Sequence, residues 1–206
     1  MSKEKISAIL IQHSQRFHPA PGRPLPTTQK RNGTNMPFDT KERIAQTVLQ
    51  LLRQQPVNKI TVQQIMEESN MKRQSFYYHF KDIYDVLDWS VTRYFCEPFS
   101  FRAEQPFEEW CEQTLTYLSK HQSYARRIAL ALGQERICKL FFPVVQPQVD
   151  RLFFSEAEPD EDALLARDLI TRTITDGFFN AVTNRSRIRV DVYMRYVRAL
   201  LRVFVD

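Results

Sequence analysis

The sequence predicts an all-α chain, on three observations. From Thr40 onward, apolar residues recur at the three- and four-residue spacing of a helix face. Only four glycines occur in 206 residues (Gly22, Gly33, Gly133 and Gly177), and helix interiors disfavour glycine. No stretch shows the strict two-residue alternation, bounded by turn residues, that marks a half-buried strand.

Residues 1–38 stand apart from that pattern. They hold five of the eleven prolines and two of the four glycines, and "HPAPGRPLPTTQKRNGTN" has no apolar period. Such composition reads as a disordered arm. A second reading is that translation starts at Met36. The segment carries six basic residues against Glu4 alone, so it accounts for the whole formal charge of +5 and the remainder is neutral. Any basic face in the folded part must therefore arise from local clustering.

The helices follow in order. Ile44, Val48, Leu51 and Leu52 form one face of a first helix, with Thr40 as its N-cap and Pro56 in the break after it. Thr61-Val62-Gln63-Gln64 has the form of a capping box, and Val62, Ile65 and Met66 give a short second helix its inner face. Asn70 suits the left-handed residue that closes a helix. A third short helix is expected over 73–80 and a fourth over 82–94, with Ile83, Val86, Leu87 and Val91 inward. Beyond Pro98 come helices over 105–120, over 122–132 (closed by Gly133) and over 134–154, which Pro143 and Pro147 should kink or split. After the acidic loop "SEAEPDED", two long helices over 160–182 and 189–205 complete the chain.

Two short helices joined by a tight turn at 69–72, supported by a longer preceding helix, describe a helix-turn-helix. In that arrangement the second helix lies in the major groove of DNA with its N-terminal end against base edges. This accounts for the unusual composition of "NMKRQSFYYHFKD" at 70–82. Phe76 and Phe80, four apart, point into the three-helix core. Lys72, Arg73, Gln74 and Ser75 lead the helix and supply donors for guanine, adenine and phosphate. Tyr77 and Tyr78 fall on other faces, where a ring can meet a thymine methyl and a hydroxyl a phosphate. The alternative for those two tyrosines is simple surface exposure. Glu67 and Glu68 read as a solvated helix face.

"ITVQQIMEESNMKRQSFYYHFKDIYDVLDW" resembles the DNA-binding domain of TetR-type transcriptional regulators. The shared features are the start at Thr61, the short turn, the aromatic-Tyr-x-[His/Tyr]-Phe run followed by Lys, and the next amphipathic helix. The aromatic-rich chain also faintly resembles the branch that contains activators of dihydroxyacetone-kinase operons. The resemblance implies DNA contacts from Thr61, Lys72, Arg73, Gln74, Ser75, Tyr77, Tyr78, His79 and Lys81. Two positions depart from the family pattern: Asn70 stands where Gly is usual, and Ile83 where a second phosphate-binding Lys often occurs. The implied organisation is a basic arm over 1–38, a helix-turn-helix domain over 39–90 and a helical effector-binding and dimerisation domain over 91–206. The family builds its dimer from the last two long helices. Here Leu164, Leu165, Leu169, Ile174, Phe178 and Phe179, then Val190, Tyr193, Val197, Leu200, Leu201 and Phe204, offer apolar surface for it.

The expected function is a sequence-specific regulator, read as a repressor, acting as a homodimer on palindromic double-stranded DNA. Its rival is a DNA-organising or division-control protein of the same fold that takes no small-molecule effector. Aromatics at helical spacing are more often core than ligand contacts. An effector of unknown identity, if one binds, would meet Trp110, Tyr117, Tyr124, Phe141 and Phe178. An enzyme is disfavoured, because no nucleophile–base pair or glycine-rich phosphate loop is present. Neither Cys96, Cys111 and Cys138 nor His13, His18, His79 and His121 show zinc-ligand spacing, so neither metal nor other cofactor is expected. With no secretory signal and no membrane span, the sequence points to a cytoplasmic protein with reduced thiols.

Overall fold

The computed structural model describes residues 40–100, 105–153 and 160–205. The arm anticipated over 1–38 and most of the acidic loop lie outside the described residues. Among the described residues all regular structure is helical.

Helix α1 (Thr40–Leu51) buries the face anticipated for it, with Ile44, Val48 and Leu51 fully covered. The chain reverses at Pro56 through a single 3-10 turn, Val57–Lys59, and enters α2 (Val62–Ser69). Thr61 Oγ1 accepts the Gln64 N–H at 3.2 Å, so the predicted N-cap forms. The capping box forms only by half. Gln64 does not return its side chain to Thr61; its Oε1 accepts from the Gln55 amide at 2.7 Å, which the reversal at Pro56 brings alongside.

Asn70 closes α2 at φ 52°, ψ 49°, in the left-handed region. Its N–H bonds Glu67 O at 3.2 Å and the Met71 N–H bonds Met66 O at 2.9 Å, which satisfies two carbonyls the helix end leaves open. Helix α3 (Arg73–His79) follows at once, and extended backbone at Phe80 ends it. Two carboxylates start α4 (Ile83–Val91). Asp82 Oδ1 accepts from the Asp85 N–H at 2.9 Å, and Asp85 Oδ2 from the Lys81 N–H at 3.0 Å. Both sit at the positive end of the helix dipole.

Helix α1 packs against α2, α3 and α4. The centre of this unit is Ile44, Val48, Ile65, Phe76, Val86 and Leu87, none with measurable exposure. The domain boundary drawn from sequence near residue 90 falls within continuous helical structure. Helix α4 runs directly into a π turn, Thr92–Cys96, and a 3-10 turn, Glu97–Phe99. This rod carries Val86, Leu87, Tyr94 and Phe95 into one hydrophobic core that runs through both halves.

The second half contains α5 (Phe107–Lys120), α6 (Gln122–Leu132), α7 (Gln134–Phe153), α8 (Glu161–Thr183) and α9 (Val190–Val205). Gly133, at φ 81°, separates α6 from α7. Helices α7 and α8 lie side by side, α6 packs on α8, and α9 packs on α5. Of the kink or split expected, the split does not occur: α7 continues through Pro143 and Pro147. Each proline removes the bond to the carbonyl four residues earlier, on Lys139 and Pro143, and both of those residues are exposed, where water can serve the carbonyl.

Three arginines tie the halves together. Arg136 on α7 grips Asp88 on α4 bidentately, with Nε–Oδ1 2.8 Å and Nη2–Oδ2 2.6 Å. Arg127 on α6 donates to the Leu52 carbonyl at 2.5 Å, just past the end of α1. The Arg53 guanidinium carbon lies 4.3 Å from the centre of the Tyr124 ring on α6. No helix among the described residues is long and apolar enough to cross a membrane. The three cysteines are free. Burial pushes the Cys96 thiol up to about 12, and burial together with the Asp176 carboxylate does the same to Cys138. Both are held as thiols, not thiolates.

Candidate nucleic-acid interface

Helix α3 divides its side chains cleanly. Phe76 is fully buried and Phe80 nearly so, the two rings 6.1 Å apart, and Phe80 meets Trp89 edge-on at 6.1 Å. That apolar anchor fixes the helix's rotation about its axis. The opposite face is left for solvent. Lys72, Arg73 and Gln74 are exposed at its start, Tyr77 is 52% exposed and Tyr78 84%. An 84% exposed tyrosine on a helix so well anchored is not explained by packing.

The other residues expected at the interface are placed less uniformly. Ser75 is half-buried, behind the leading residues. His79 is half-buried with its ring edge-on to Tyr78 at 4.8 Å. Lys81 is exposed just past the end of α3. Thr61 is exposed at the start of α2; its oxygen accepts the capping bond, which leaves its O–H free to donate. From Lys72 to Lys81 the chain carries no acid. A surface depression of about 490 Å³, lined by Gln63, Glu67, Asn70, Lys72 and Arg73 among others, joins α2 to the start of α3.

Two features were not foreseen from the sequence. The Lys41 ammonium lies 5.4 Å from the Phe80 ring centre and 5.6 Å from that of Trp89, tying the first turn of α1 to the end of α3. Arg73 Nη2 donates to Tyr77 Oη at 3.3 Å, and its guanidinium carbon is 5.6 Å from the Tyr77 ring centre. The second is an i, i+4 pair, and that spacing could have revealed it.

The residues expected to meet an effector fall in different places. Phe141 and Phe178 line a small apolar cavity of about 30 Å³, walled also by Val91 and Phe95 of the α4 rod. Trp110 is core, with its indole N–H on the Phe99 carbonyl at 2.9 Å. Tyr117 packs against Phe95, Phe99 and His121, and its hydroxyl is buried without a partner. Tyr124 lies at the joint between the halves, under Arg53. A second apolar space, an open groove of about 560 Å³, runs between α8 and α9 over α5. Phe178 borders both spaces.

No family model matches this chain, and no curated protein does. Among solved structures, one described as dihydroxyacetone kinase operon activator DhaS superposes with a TM-score of 0.60 at 17% sequence identity. The match covers 80% of this chain and 96% of that one. The likeness shows a shared all-α fold.

Proposed function

We propose that the protein is a transcriptional regulator of the TetR type that reads DNA with α3 as a homodimer. The observation that carries this reading is the division of α3, two phenylalanines buried and a row of cationic, amide and tyrosine side chains left facing water. A fold shared with an operon activator supports it. In this reading Arg73 meets guanine, Gln74 adenine and Tyr78 a thymine methyl, while Lys72, Lys81 and Thr61 meet phosphates.

The homodimer rests on the groove between α8 and α9. Its rim carries Leu169, 57% exposed, and Tyr196, 68% exposed, with Leu165 exposed on the same helix as Leu169. One recognition helix reads only a few base pairs, so a twofold pair is the natural route to useful affinity. One observation favours the rival reading of a DNA organiser without an effector. The small cavity lined by Phe141 and Phe178 has room for about one or two waters and none for a metabolite, and in this reading a second copy takes the larger groove.

The test is selection of binding sites from random duplexes. Wild type is expected to enrich an inverted repeat. Arg73→Ala and Tyr78→Ala are expected to relax base preference, each direct contact being worth about 1–3 kcal/mol. Lys81→Ala is expected to weaken all sequences alike and to lower the salt slope by about one. Enrichment of no repeat, or wild-type behaviour from Arg73→Ala, would remove the recognition-helix reading. The sign of regulation, read as repression, is checked with a reporter placed behind the selected site: deletion of the gene should raise output.

The arm belongs to the same proposal. A chain beginning at Met36 should melt within about 2 °C of the full chain, the equivalent of roughly 0.5 kcal/mol. Its affinity for DNA should lose about 0.9 in salt slope for every arm cation that had met a phosphate. A substantially lower melting temperature would show instead that the arm is part of the fold.

A further inference from the structure

We propose that Tyr77 is a positioning residue for Arg73, holding its guanidinium in place to read a base, and is not itself the contact. The inference rests on α3 being the helix that reads DNA, and it assigns a division of labour within that helix.

The geometry begins in the core. Phe76 is fully buried, and the Tyr77 ring stands edge-on to it, centres 5.4 Å apart and planes at 79°. The ring is thereby steadied from below while about half of the residue stays in solvent. Four residues earlier, on the same helix face, Arg73 opens the helix. Its Nη2 donates to the Tyr77 hydroxyl at 3.3 Å, and its guanidinium lies toward the same ring. Among the described residues no carboxylate pairs with Arg73, so the tyrosine is what restrains it.

The chemistry suits that role. A free arginine loses much rotamer freedom when it docks on a base, and a pre-oriented fork loses less. One N–H of Nη2 is spent on Tyr77. The other, with those of Nη1, still forms the two-pronged donor that matches guanine O6 and N7. Tyr78, at 84% exposed, is the ring that stands clear to touch DNA itself.

The test uses the full chain and duplexes selected by wild type. The position read by Arg73 is the one whose guanine preference Arg73→Ala abolishes, a loss of about tenfold or more. Tyr77→Phe keeps the ring and removes the hydroxyl acceptor. It is expected to lower preference at that position by about three- to tenfold, a fraction of the full Arg73 contribution, and to leave other positions and the salt slope unchanged. Tyr77→Phe added to Arg73→Ala should cost nothing more. The proposal is overturned if Tyr77→Phe matches wild type, if it weakens all duplexes equally as loss of a phosphate contact would, or if its effect persists without Arg73. If Arg73→Ala changes no preference, or wild type selects no site, the DNA-reading assignment of α3 has failed and the positioning role falls with it.

Discussion

Phe76→Ala should destabilise the protein by about 3–5 kcal/mol, the range for emptying a fully buried aromatic site. The side chain has no exposure and touches both Phe80 and Tyr77, so its loss leaves a void that three short helices cannot close without moving. A comparable fraction of the stability of a typical domain would go. DNA binding should be lost in the same variant, but as a consequence. Thermal melts and binding separate the two: cooled well below the lowered melting point, Phe76→Ala should recover part of its affinity with base preference unchanged. An unaltered melting temperature would mean that α3 does not seat on this core.

Leu169→Asp should have the largest effect on assembly. The residue is 57% exposed in the protomer, so a charge there costs the isolated chain little. Across a twofold interface the same change buries two carboxylates without partners, each costing several kcal/mol. Light scattering at micromolar concentration should show wild type as a dimer and the variant at half the mass, with helical content retained. Phe178→Asp is a poorer probe, because Phe178 is buried and the change would unfold the protomer as well. A wild type that scatters as a monomer would dispose of the dimer altogether.

Much of this molecule was legible in local spacing. Ile44, Val48 and Leu51 announced α1, Thr61 its neighbour's start, and Asn70 a left-handed end in a chain poor in glycine. The burial of Phe76 and Phe80 against the exposure of Tyr78 followed from helical geometry alone. What escaped depended on neighbours distant in sequence. Gln64 chose Gln55 over its own cap, a choice decided by where Pro56 turned the chain. Proline rules allowed a kink or a split in α7, yet the helix runs on, because the carbonyls its prolines leave unbonded belong to exposed residues. The Arg136–Asp88 grip spans 48 residues and leaves no periodic trace. The aromatics of the second half were the least readable. Trp110 and Phe141 look alike by spacing and both are buried, and only packing puts Phe141 on a cavity wall as well.

The groove between α8 and α9 also bears on gene dosage. If a second copy fills it, two protomers must meet before paired recognition helices can face one site. Below the dissociation constant of that pairing, the active species rises as the square of protein supply. Halving expression then cuts it about fourfold, so promoter occupancy responds more steeply to abundance than a monomer's could. A cell could set this switch by how much of the chain it makes, with no ligand required.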